Sequence, residues 1–130
     1  MARNIKITVL WLLTICGFAC HSICDVLPIF WGRDVAMVGE DVAVQGMTVM
    51  MMTLSYLLPA CSILCVMYAA DSKPLRQTNA VLAMFITLFN MVHAFIELPS
   101  ANAGQYVITS MMIAVGLLLT WHSIKYVKLE

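Results

Sequence analysis

Two stretches of the chain carry residues whose types and spacing could do chemistry. His21 and Asp25 stand one helical turn apart in His21-Ser22-Ile23-Cys24-Asp25. Asn90, His93 and Glu97 fall at i, i+3 and i+7 in Asn90-Met91-Val92-His93-Ala94-Phe95-Ile96-Glu97. On a helix, each set shares one face. Two imidazoles and two carboxylates form a donor set for tetrahedral zinc, and the same groups suit iron or manganese. A divalent metal is therefore the cofactor that His21, Asp25, His93 and Glu97 would hold. The Glu-x-x-His repeat of soluble di-iron bundles is not present; here the pattern is His-x-x-x-acid, so the likeness is one of chemistry alone.

The leading reading of the same side chains is ligand binding, with the metal as its alternative. With Asn90, and with Ser55, Gln105 and Thr109 from the small polar stripes of the remaining helices, they would bind a small apolar or lipid-like ligand and exchange protons with it. His21 and His93 from facing helices would be the axial pair of a haem, although the neighbouring carboxylates contribute nothing to that. The plainest alternative is structural: His–acid pairs that pin two helices together. Met47, Met50, Met51, Met52, Met111 and Met112 add a set of thioethers, a ligand type that selects Cu(I).

Positioning these groups falls to apolar helices. Of the 130 residues, 62% are hydrophobic and 11% charged, against about 25% charged in a soluble domain. With a mean hydropathy of +0.92, too few charges are present to cover a water-facing surface, so the lipid bilayer is the expected solvent and first partner. Seven basic and seven acidic residues balance, and with no basic patch a nucleic-acid partner is not expected. The five cysteines are an odd number, which excludes a complete disulfide framework. Cys16, Cys20 and Cys24, like Cys61 and Cys65, repeat at one helical turn and read as packing residues. No C-x-x-C pair, phosphate-binding glycine loop, nucleophile elbow or dinucleotide fingerprint occurs, which argues against thiol exchange and ATP-driven transport.

Four apolar runs, at about 5–27, 46–70, 79–98 and 105–124, each reach the roughly 20 residues needed to cross a bilayer. The first follows Arg3 and Lys6 and faintly resembles a secretory signal around Gly17-Phe18-Ala19, but it continues past that point and reads as a retained span. Pro28, Asp71-Ser72-Lys73-Pro74 and the Pro99–Gly104 segment punctuate the runs. The expected fold is all-α: one domain over residues 1–130, an integral membrane up-down-up-down four-helix bundle. Arg3, Lys6, Lys73, Arg76, Lys125 and Lys128 then fall on one side and Arg33 alone on the other, so both termini should be cytoplasmic. Trp31, Trp121 and Tyr126 near run ends read as interface anchors.

This topology places His21/Asp25 and His93/Glu97 in the last turns of two outward-running helices, at one depth. Small or polar stripes face them: Thr48, Met52, Ser55, Pro59, Ser62 and Ala69 in the second run, Gln105, Thr109, Met112, Gly116, Thr120 and Ser123 in the fourth. Pro59 should break the second helix where the freed carbonyl is covered by protein or lines a cavity. The 29–45 segment, with its apolar Val35-Ala36-Met37-Val38, suits a lid over an outward cavity.

Overall fold

The computed structural model describes residues 2–34, 42–68, 72–97, 99 and 103–128, with backbone alone for 42–45. Five α-helices make up the described chain: α1 (Arg3–Val26), α2 (Val42–Met52), α3 (Leu58–Tyr68), α4 (Lys73–Glu97) and α5 (Ala103–Val127). A π turn over Thr53–Leu57 joins α2 to α3, so four helical segments are long and apolar enough to cross a membrane.

The element boundaries follow from local chemistry. α1 ends at Val26 and passes into a 3-10 turn, Leu27–Trp31, which accepts Pro28 in its first positions. Gly32, at φ 70°, ends that turn in the left-handed region where glycine is at ease. The first part of the 29–45 loop is thus helical, and its apolar centre at 35–38 lies outside the described residues, as does the lid it was expected to form. α4 starts six residues before the expected boundary at Asn79, because Pro74 sits in the first turn, where no N–H is needed. Pro59 has no N–H for the Ser55 carbonyl; upstream the ladder widens, and Leu58 N–H bonds to Thr53 O, five residues back.

α1 packs on α3 and α5, and α4 packs on the same two helices. α1 and α4 therefore lie across the core from one another. Between α1 and α5, Arg3 donates to the Lys125 carbonyl at 2.9 Å near one end, and Gln105 donates to Asp25 near the other. The Arg3 guanidinium also places positive charge at the C-terminus of α5, where orphan carbonyls favour it.

Ile7, Trp11, Phe18, Ala83, Ile86, Met112 and Leu119 are buried, and so are Thr14, His21, Ser62, Asn79, Thr87, Asn90 and Ser123. Outward faces carry Leu12, Leu13, Phe85, Leu88, Phe95, Leu117 and Leu118. A mixed apolar and polar interior under an apolar exterior departs from the usual soluble arrangement. Small residues let α4 and α5 close up: a Cβ on Gly116 would stand 2.9 Å from Thr87 Oγ1. That hydroxyl lies 2.7 Å from Ala83 O, 2.9 Å from Gly116 O and 2.9 Å from Thr120 Oγ1.

One of the three expected anchors proves otherwise. Tyr126 is buried, with the Arg76 guanidinium 5.7 Å from its ring centre, because the helix end is covered by α4. Trp31 and Trp121 are exposed as expected, and Lys125 Nζ sits 4.2 Å from the Trp121 ring centre.

Candidate functional site

On α1 the buried positions Ile7, Trp11, Thr14, Phe18 and His21 recur at steps of four and three. On α4, Asn79, Ala83, Ile86, Asn90 and Ala94 do the same. Each set is the core-facing stripe of a 3.6-residue helix. His93 and Glu97 flank the end of the α4 stripe, and His21 ends that of α1. The two stripes face one another across the bundle, so the three side chains meet at one end of it.

The meeting is close. His21 Nε2 lies 3.2 Å from His93 Nε2 and 3.2 Å from Glu97 Oε2, and His93 Nε2 lies 3.1 Å from Glu97 Oε1. The imidazole rings meet edge to face with centroids 5.3 Å apart, and Phe89 stacks on His93 at 5.8 Å. His21 is buried, while His93 and Glu97 are each about one quarter exposed. One side of the trio is thus sealed by protein and the other is open. Ligands at about 2.0–2.1 Å around a tetrahedral ion lie about 3.3–3.4 Å from one another. The His21–His93 separation of 3.2 Å, and the 3.1–3.2 Å contacts that the two histidines make with separate Glu97 oxygens, come within a few tenths of an ångström of that figure.

Asp25 stands at the margin. Its carboxylate is 3.9 Å from His21 Nε2, its side chain is 44% exposed, and it accepts a hydrogen bond from the Gln105 amide. The group of side chains able to hold a metal ion is therefore His21, His93 and Glu97, one fewer than the sequence set, with Asp25 beside it. Asn90 is buried and lines a cavity of about 10 Å³ with His21, His93, Thr109 and Met112. Neither terminal atom of its amide has a hydrogen-bond partner, and His21 Nδ1 is also buried without one. A larger cavity of about 80 Å³ borders Glu97 and is lined by Gln105, Tyr106, Thr109 and Ser110 among others.

The structure thus brings His21, Asp25, Asn90, His93, Glu97, Gln105 and Thr109 to one end of the bundle. Ser55, of the π turn, lines neither of the two cavities beside the trio, and its hydroxyl donates to the Met51 carbonyl at 2.6 Å. The methionines differ in burial. Met47, Met50, Met51, Met52 and Met111 lie on outward faces, and Met112 is buried against Gly17. The imidazole nitrogens, 3.2 Å apart, leave no room for a porphyrin between them, which removes the haem reading.

One polar cluster escaped sequence reasoning. Asn79 Oδ1 accepts from Trp11 Nε1–H at 2.8 Å, and its Nδ2 donates to Ser123 Oγ at 2.9 Å. The signal was present: Asn79 precedes Ala83 by one turn on the stripe that leads to Asn90.

By its folded form the chain is an all-helical protein with four segments able to span a membrane and a His–His–Glu group at one end. It matches no family model, and no curated protein or solved structure is similar to it.

Proposed function

We propose that the protein is a four-span membrane protein that binds a divalent transition-metal ion through His21, His93 and Glu97. The observation that carries this is the convergence of three donor groups at 3.1–3.2 Å, with one side open. Two histidines and a glutamate are the ligand set of several catalytic zinc sites, which keep a fourth position for water or substrate. Two histidines and a carboxylate on one face of the ion also hold non-haem iron(II). Zinc is the first ion to test, iron(II) the second.

The open position favours an ion that meets a second molecule. The cavity beside Glu97, about 80 Å³ with Gln105, Thr109 and Ser110 on its wall, supports a small polar molecule as that partner. A metal-bound water or substrate oxygen there would be polarised by the ion. The up-down-up-down arrangement is supported by the pairing of Arg3 with Lys125 and Asp25 with Gln105 at opposite ends of α1 and α5. Cytoplasmic termini follow from the basic residues at one end, and the metal site then lies in the outer half.

Zinc titration of the purified protein, followed by elemental analysis, tests the site. One equivalent per chain is expected in the wild type, and none in His21→Ala or His93→Ala. A metal-free wild type whose stability falls in both variants would make the trio a helix staple instead. A cysteine placed at Gly104 in a cysteine-free background tests the sidedness: it should react with an impermeant thiol reagent from outside the cell. Reaction from the cytoplasmic side alone would overturn the topology.

A further inference from the structure

The Asn90 amide is the least satisfied group among the described residues. It is 3% exposed, and neither its oxygen nor its nitrogen has a hydrogen-bond partner. A buried polar group left so costs about 1–3 kcal/mol, and native structures usually answer such a group with a partner or an ordered water. The cavity that Asn90 lines has the room one water needs, about 10 Å³. His21 lines the same cavity, and its Nδ1 is the second buried nitrogen without a partner. Thr109 lines it as well and brings a hydroxyl. Three polar groups around one water-sized space meet the two to four partners that a buried water takes.

We infer that Asn90 and Thr109 hold a single buried water against His21 Nδ1, and that Asn90 thereby acts as the positioning residue for the metal-binding imidazole. This rests on the metal reading above. When the ion takes the Nε2 lone pair, the His21 proton sits on Nδ1. That N–H then donates to the water, which donates in turn to Asn90 Oδ1 and to the Thr109 hydroxyl. A metal-bound imidazole normally gives its second N–H to a carboxylate, a carbonyl or a water, which fixes ring tautomer and orientation. His21 has no such protein partner, and the water supplies it. Carboxylates, the other acceptors within reach of this ring, all lie on its Nε2 side: Asp25 Oδ2 at 3.9 Å and Glu97 Oε2 at 3.2 Å. Nothing on that side can steady Nδ1.

The test is Asn90→Leu, a substitution of similar size that removes the amide. Loss of the outer-shell partner should weaken zinc binding by about 10- to 100-fold. Thermal stability in detergent should hold or rise, since the variant buries no unpaired amide. A variant that keeps a hydrogen-bonding group, Asn90→Ser, should regain most of the affinity. Nitrogen NMR of ¹⁵N-histidine protein supplies a readout that a packing role would not move. In the zinc-loaded wild type, His21 should carry its proton on Nδ1 and show a cross-peak to a long-lived water, which Asn90→Leu loses. Equal zinc affinity in wild type and Asn90→Leu, or no such water cross-peak in the wild type, overturns the inference and leaves the metal site standing. A wild type that binds no zinc overturns the metal site and with it the positioning role; the water itself is then read from the His21 cross-peak of the metal-free protein, whose absence overturns it too.

Discussion

Two asparagines on α4 stand eleven residues apart on the same face, and the bundle treats them in opposite ways. Asn79 is fully buried with both ends of its amide bonded, one to Trp11 of α1 and the other to Ser123 of α5. Asn90 is equally deep and bonded to nothing. The same three helices supply both surroundings. Where a polar residue serves to hold helices in register, its hydrogen bonds are closed within the protein, because an open one is expensive away from water. Around His21, His93 and Glu97, by contrast, groups are held close and left incomplete. Incompleteness next to convergent ligands is what a site needs and what a staple does not. The contrast separates a closed polar layer from an open one more sharply than residue type does, since an amide sits in each.

Glu97→Gln should give the largest effect. The amide keeps size and hydrogen bonding but loses the anionic ligand, so zinc affinity should fall by more than about 100-fold, beyond what outer-shell changes produce. Melting temperature in detergent should move little, because a neutral amide is cheaper to bury than a carboxylate. Asn79→Leu should do the reverse. It strands the Trp11 indole N–H and the Ser123 hydroxyl, and stability should fall by about 1–3 kcal/mol, while the folded fraction binds zinc as the wild type does. A large stability loss in Glu97→Gln together with unchanged metal content would break the contrast. Between the two layers, Gly116→Ala drives a Cβ to 2.9 Å from Thr87 Oγ1. Thr87 is branched and already hydrogen-bonded, so the clash should cost about 1–2 kcal/mol; denaturant midpoints would show it, and zinc affinity should be unaffected.

The sequence carried much of this. Length and hydropathy located four segments, and turn spacing on α1 and α4 placed His21, His93 and Glu97 on facing stripes. What it hid has physical causes. The partners of Asn79 lie 68 and 44 residues away, and no local period announces such a pairing. The stripe of the second run was counted at 3.6 residues per turn through Pro59. The π turn adds a residue there, so Leu54 is buried and Met52 exposed. Tyr126 sits at the end of its run, where an aromatic usually marks an interface, but α4 begins earlier than expected and its Arg76 lies over the ring. Asp25 and Glu97 read as equivalent carboxylates. The fold separates them, burying most of one and leaving the other nearly half exposed.

Asp25→Asn should have the smallest effect, and it sharpens the boundary of the site. The question is what fills the position that His21, His93 and Glu97 leave open. Asp25 Oδ2 is 3.9 Å from His21 Nε2, farther than the 3.1–3.2 Å edges of the trio. Its carboxylate is also engaged by the Gln105 amide. An asparagine keeps an oxygen for that amide, so the Asp25–Gln105 link survives and stability should stay within about 0.5 kcal/mol. Removing a partly solvated charge near a cation costs little more than an exposed ion pair, about 0.2–1 kcal/mol, or less than about tenfold in zinc affinity. That outcome leaves the fourth position to water or to a molecule in the cavity beside Glu97. A loss as large as that of Glu97→Gln would instead make Asp25 the fourth ligand. The ion would then be closed in by four protein groups, and a closed tetrahedral site is a structural one. The measured ratio of the two affinities therefore decides whether the proposed metal site is a closed, structural one or an open one.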